Sequence, residues 1–210
     1  MEIMYSNKYN SLVKKNSFTG IYGDKIDLVN NGVDLFGITY DDEWTVRRFL
    51  NGYKLKLDSN ILEIFSSLEI SYSLLKKKIK QLSKGQFKLV LFVYVILNNK
   101  NTIVFDYFDK GLSYNYKKRI INYLKGKYNG TLIAISNDIL FLNMLCNNII
   151  VFEDGNIVFN GEFLDLYKSR VKLNYPEIIK FIRLANKNKA KLSYNYDNKE
   201  LLKDIYRSLS

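Results

Sequence analysis

Two kinds of stretch in this chain carry residue types that could do chemistry. Leu82-Ser83-Lys84-Gly85-Gln86 sets a hydroxyl residue just ahead of an almost wholly apolar run, Phe87 to Leu97. Ser83 is expected to cap a helix there, with the amides of Lys84, Gly85 and Gln86 turned outward. A helix N-terminus carries roughly half a positive charge, so such a start suits a phosphate. Further along, Thr102 to Phe105 runs into Asp106-Tyr107, and Thr131 to Ile135 runs into Ser136-Asn137. Both read as buried strands of the parallel type with polar ends. There is no histidine, which excludes chemistry that needs imidazole. A phosphate loop of the form Gly-x4-Gly-Lys-Ser/Thr does not occur. Gly23 leads into Asp24-Lys25-Ile26-Asp27, and Gly126-Lys127 is followed by Tyr128 in what reads as a loop after a helix.

This order of segments resembles the ATPase subunits of ABC transporters. The stretch at Ser83 is similar to their LSGGQ signature, the strand ending at Asp106 to their Walker B strand, and the strand before Asn137 to their switch-histidine strand. The resemblance implies an α/β, P-loop NTPase-like ABC ATPase core. That core has a mostly parallel sheet, an antiparallel N-terminal edge and a small helical subdomain, here about 45–97. It implies an ATPase-like domain over 1–170 and a helical tail over 171–210. The tail, with Pro176 opening one helix and 197–209 forming a last amphipathic one, resembles the energy-coupling-factor branch, where such tails help ATPase subunits pair.

The departures from the family pattern fall on nucleotide handling. In the family the strand-ending Asp, here Asp106, holds magnesium, and the next residue is a Glu that polarises water. Tyr107 stands there, and with a reference pKa of about 10 it is a poor base. Loss of a general base costs roughly 10²- to 10⁴-fold in rate. Asn137 stands where the switch His belongs, and Ser113 where the D-loop Asp belongs. Asp41 falls near the family's Q-loop Gln and is expected either to hold a cation or to help start the next helix. Lys84 replaces the first signature glycine. A deletion of the phosphate loop and its helix after Gly23 accounts for the missing motif.

The resemblance therefore implies a hydrolysis-incompetent subunit that offers Ser83, Lys84, Gly85 and Gln86 to ATP held by a complete ATPase partner. ATP and Mg²⁺ are expected only at that shared site, with no metal site and no catalytic residue of this chain's own. A transmembrane permease is the expected second partner. The alternative is a scaffold or regulatory protein that keeps the fold without a nucleotide role. An unorthodox ATPase would have to rest on Asp106, Asp109 and Lys25.

Composition bounds these readings. The 210 residues are 47% hydrophobic, enough for a sizeable core. The longest apolar run, Leu89 to Leu97, is too short to cross a bilayer, and no signal-peptide pattern opens the chain. A single Cys146 allows no internal disulfide, so a reducing, cytoplasmic setting is expected, and the resemblance implies a peripheral place on the cytoplasmic face of the cell membrane. The net charge of +11 comes from lysines spread along the chain without aromatic interleaving, and no nucleic-acid partner is expected.

The remaining elements follow from pattern. Residues 1–5 and 17–23 alternate as strands. Apolar residues at Ile61, Leu62, Ile64, Phe65, Leu68, Leu74, Leu75 and Ile79 keep helical spacing from Asp58 to Gln81. Residues 114–125, 138–144 and 163–168 read as helices. Residues 149–152 and 157–161 form a hairpin turned by Asp154-Gly155. Trp44 is either an interface anchor or a core residue.

Overall fold

The structure is a computed structural model, and it describes residues 13–23, 40–52, 58–98, 101–194 and 198–209. The strands expected over 1–5, the segment 24–39 with Lys25, and residues 37–39 before Asp41 lie outside the described residues.

Five strands form one sheet in the order β2-β3-β1-β4-β5. They are β1 (Phe18–Tyr22), β2 (Thr102–Asp106), β3 (Thr131–Ile135), β4 (Asn148–Glu153) and β5 (Asn156–Glu162). β1 sits in the middle and pairs in parallel with β3 and β4, and β2 pairs in parallel with β3. β5 alone runs antiparallel, against β4. The antiparallel edge seen among the described residues is thus the β4–β5 hairpin. Its turn residues Asp154 and Gly155 take φ of 49° and 76°, the left-handed pair that matches strand twist.

The parallel strands are apolar on both faces because both faces are covered. Alternate residues separate cleanly, as the two-residue period of a strand requires. Ile103, Phe105, Leu132, Ala134, Ile149 and Val151 join the main core. Ile21, Val104, Ile133, Ile135, Ile150 and Phe152 form a second, smaller cluster.

The main core is closed by α1 (Val46–Asn51), α2 (Ser59–Ser67), α3 (Lys84–Asn98), α4 (Tyr114–Lys127) and α5 (Ile139–Leu145), followed by the short α6 (Phe163–Lys168). α3 buries Leu89 to Val93 and Val95, almost its whole circumference, as a helix enclosed by neighbours does. Four of these helix starts have a local reason. Thr45, Asp58, Ser113 and Asp138 accept hydrogen bonds from first-turn amides of α1, α2, α4 and α5. The two C-terminal helices are α7 (Glu177–Lys187) and α8 (Asn198–Leu209). Tyr175, Ile179, Ile182 and Leu192 join the main core, so 171–194 is packed onto the sheet domain.

Three expectations need correction. The helical spacing from Asp58 to Gln81 does not make one helix. α2 stops at Ser67, Glu69 turns left-handed with φ 52°, and two 3₁₀ turns follow at Tyr72–Lys76 and Ile79–Gln81. Ser71 caps the first of these by accepting from the amide of Ser73, which restarts the chain in a new direction. Gly126-Lys127 is the last turn of α4 rather than a loop, and Lys125 and Lys127 there suit the negative helix end. Asp41 does not start α1: its Oδ1 accepts from the Glu43 amide at 2.8 Å and turns the chain, while Thr45 is the cap. Trp44 is half-buried, with the Arg48 guanidinium 4.7 Å from its ring centre.

Candidate functional site

The start of α3 is built as a reciprocal cap. Ser83 Oγ accepts from the Gln86 amide at 3.2 Å, and Gln86 Oε1 accepts from the Ser83 amide at 3.1 Å. First-turn amides have no partner within their own helix, so those of Lys84 and Gly85 are the donors this end presents. Ser83 and Lys84 are exposed. Gly85 has a packing reason to be glycine that its sequence context does not show. A Cβ there would meet Cε2 and Cδ2 of the Tyr116 ring at 3.0 and 3.2 Å. Gly85→Val is therefore expected to cost roughly 1–3 kcal/mol through overpacking, read from urea unfolding. An unchanged midpoint would mean that Tyr116 yields freely.

Ser113 lies close by, because it caps α4 with Oγ accepting from the Tyr116 amide at 3.4 Å. The signature-like residues, Tyr116 and Ser113 thus form one neighbourhood. Asp41 reaches α3 differently: the ring of its neighbour Tyr40 packs on Phe87 at 5.1 Å and on Phe49 at 5.9 Å.

A second group gathers at the carboxyl ends of β1, β2 and β3. In an open α/β sheet this edge is where ligands are usually taken. Asp106 ends β2 and is exposed. Tyr107 follows with φ 44°, its amide donating to the Ile135 carbonyl at 2.9 Å. Its phenol donates to the Gly23 carbonyl at 2.7 Å. The Lys110 ammonium sits 3.8 Å from the Tyr107 ring centre. Asn137 is exposed beyond β3, next to buried Ser136, whose amide donates to the Ile21 carbonyl at 3.0 Å. Gly23 itself approaches its neighbour closely, since a Cβ there would lie 2.8 Å from the Phe152 carbonyl oxygen. So Asp106, Tyr107, Asn137 and Gly23 come together at one edge.

A partly buried charge cluster joins the two neighbourhoods, and of its members only Asp109 was singled out from sequence. Lys88, one turn into α3, donates to the Phe108 carbonyl at 2.8 Å and to the Lys110 carbonyl. It thereby ties α3 to the loop after β2. Asp109 in that loop is buried, 3.6 Å from the Lys117 ammonium. Lys117 also donates to Asp138 at 2.8 Å. Burial pushes the Lys88 ammonium down, and the Asp109 carboxylate opposes this. Asp109 therefore points inward to Lys117, an ion-pair role instead of the reacting carboxylate an unorthodox ATPase would need. The one available signal was a lone charge inside apolar sequence, at Phe87-Lys88-Leu89 and Phe108-Asp109.

Burial raises the Asp138 carboxyl, but the Lys117 hydrogen bond and the amides of Phe141 and Leu140 outweigh it and hold the group below its ordinary value. A depressed folded pKa gives stability that is present above the unfolded value, about 3.9. That stability is lost as pH falls through the folded value. Asp138→Asn keeps the α5 cap and removes the charge. Its thermal midpoint should therefore fall less steeply than that of the unsubstituted chain below about pH 4. Parallel acid limbs would contradict the assignment.

No family model matches the chain. It is 30% identical over 130 residues to the zinc import ATP-binding protein ZnuC of Rickettsia prowazekii, covering 60% of this chain and 55% of the relative. It is 26% identical over 166 residues to the energy-coupling factor transporter ATP-binding protein EcfA2 of Staphylococcus aureus, covering 73% and 54%. The chain thus spans about half the length of these curated relatives. Among solved structures it matches the ATP-binding cassette MJ0796, a dimer bound to ADP and Pi in a post-hydrolysis state. The TM-score is 0.55 at 18% identity, over 71% of this chain and 87% of that one. At that identity the match shows the fold, which is that of an ABC ATPase cassette. No helix among the described residues is long and apolar enough to cross a membrane.

Proposed function

We propose that this chain is an ABC-type ATP-binding subunit of a membrane transporter that does not hydrolyse ATP by itself. It pairs with a complete ATPase subunit and offers Ser83, Lys84, Gly85 and Gln86 to the ATP that partner holds. The observation that carries this reading is the start of α3. Its reciprocal cap is complete, its first residues are exposed, and its amides form a positive helix end suited to phosphate. The relatives support the class, being ATP-binding proteins for zinc import and for an energy-coupling factor transporter. The dimeric, ADP-bound cassette supports pairing around nucleotide.

In this reading Mg²⁺ and ATP belong to the shared site. Tyr107, Asn137 and Ser113 mark a nucleotide-handling half that has lapsed, and Asp106 is what remains of its metal side. A transmembrane permease is the further partner, and the pair sits on the cytoplasmic face of the membrane. Residues 1–170 form the cassette-like unit, with the helical subdomain at about 45–97, and 171–210 the appended helices.

The test is turnover by the complete ATPase that co-purifies with this chain. Ser83→Arg places a long cation in the signature position. It should lower that turnover at least tenfold, while removal of the cap itself costs only about 1 kcal/mol of stability. Turnover unaffected by Ser83→Arg would refute the shared site.

A scaffold role without nucleotide is the second reading. It is favoured by the packing tasks of Gly85 under Tyr116 and of the Ser83–Gln86 cap, which need no ligand. A homodimer indifferent to ATP would select it, and association with an ATPase strengthened by ATP would select the first.

A further inference from the structure

The geometry points to Tyr107 as a built-in plug: its side chain takes the place of a ligand at the carboxyl edge of the sheet and holds that edge closed. The inference rests on the proposal that this chain does not hold its own ATP, and it explains how such a fold stays closed without one. In strand order β2-β3-β1, Tyr107 starts at the end of β2, is anchored by its amide to the last carbonyl of β3, and ends on the Gly23 carbonyl just past β1. One residue thus reaches across three strands at the edge where open α/β sheets take their ligands.

Four observations mark this as a built contact. The backbone of Tyr107 is left-handed, at φ 44°, a conformation a bulky residue keeps only where its surroundings hold it. The ring packs against the smaller core cluster that includes Ile21, Ile133 and Ile135. Its outer face is covered by the Lys110 ammonium at 3.8 Å, a cation–π contact. The phenol donates to a backbone carbonyl at the very point where a phosphate loop would begin in a cassette. With the ring held at this edge and no phosphate-loop sequence following Gly23, these residues do not fit a magnesium-bound triphosphate of this chain's own.

The test uses the full chain and two variants, each unfolded thermally with and without millimolar MgATP. Tyr107→Phe keeps the ring and loses the bond to Gly23. It should lower the midpoint by roughly 2–4 °C, the shift expected for one hydrogen bond in a chain of this size. Tyr107→Gly suits the positive φ but empties the plug, and should lower the midpoint by roughly 6 °C or more. MgATP should move none of the three midpoints. An unchanged midpoint in Tyr107→Phe would overturn the plug and leave the shared-site proposal untouched. MgATP raising only the Tyr107→Gly midpoint would show a gate over a working pocket, which also overturns a permanent plug. MgATP raising the midpoint of the unsubstituted chain would overturn the underlying reading instead.

Discussion

Phe105→Ala is expected to lower stability by about 3–5 kcal/mol, among the largest losses available to one substitution in this chain. Phe105 is 1% exposed and packs between α3 and the loop after its own strand. Its ring lies 4.7 Å from Phe108, stacked, and 6.1 Å from Phe92 of α3. Aromatic pairs of this kind add to the area term, and a truncated ring leaves a cavity that packed neighbours fill only in part. The loss also removes what seats Phe108, so the loop carrying Tyr107, Asp109 and Lys110 should loosen with it. Urea unfolding measures the first effect and hydrogen exchange in the loop the second. A cost under about 1 kcal/mol would mean that α3 collapses onto β2 without strain.

Lys117→Met should cost about 3 kcal/mol, near the low end for breaking a buried pair because Lys117 is itself a fifth exposed. The cost arises from what is left behind. Asp109 stays 5% exposed, its Oδ1 already has no hydrogen-bond partner, and its nearest cation is gone. Adding Asp109→Asn to Lys117→Met should recover part of the loss by removing the stranded charge, a coupling a double-mutant cycle reads directly. Additive losses would mean that the two groups do not interact. Through Lys88 the same loop holds α3, so the cluster keeps the start of α3 and the end of β2 in fixed relation.

Much of the architecture was legible because it is encoded locally. The runs at 102–105 and 131–135 are continuous and apolar, as strands buried on both faces must be. Asp154-Gly155 supplies the left-handed residues a tight hairpin needs. The break after α2 was hidden, because Leu74, Leu75 and Ile79 stay in helical phase with Ile61 and Phe65 while the chain turns at Glu69. Nothing in sequence marks that reversal beyond Ser71, whose capping of a new turn depends on where the helix has already stopped.

The site was legible in type and hidden in contact. Ser83 as a cap and Asp106 at a strand end follow from local pattern. That Tyr107 reaches Gly23, 84 residues away, depends on β1 and β2 flanking β3, which is a property of the sheet. Gly85 looked like part of a phosphate-binding string, and its packing under Tyr116 appears only once α3 and α4 are side by side. The inward turn of Asp109 was likewise invisible, since a carboxylate three residues past Asp106 reads as well for a metal as for an ion pair.

The central claim is that this subunit contributes a signature surface but does not grip fuel itself, and equilibrium dialysis of labelled MgATP against the purified chain tests it most directly. The account predicts no saturable binding up to millimolar nucleotide. A single site filling at micromolar ATP would contradict it.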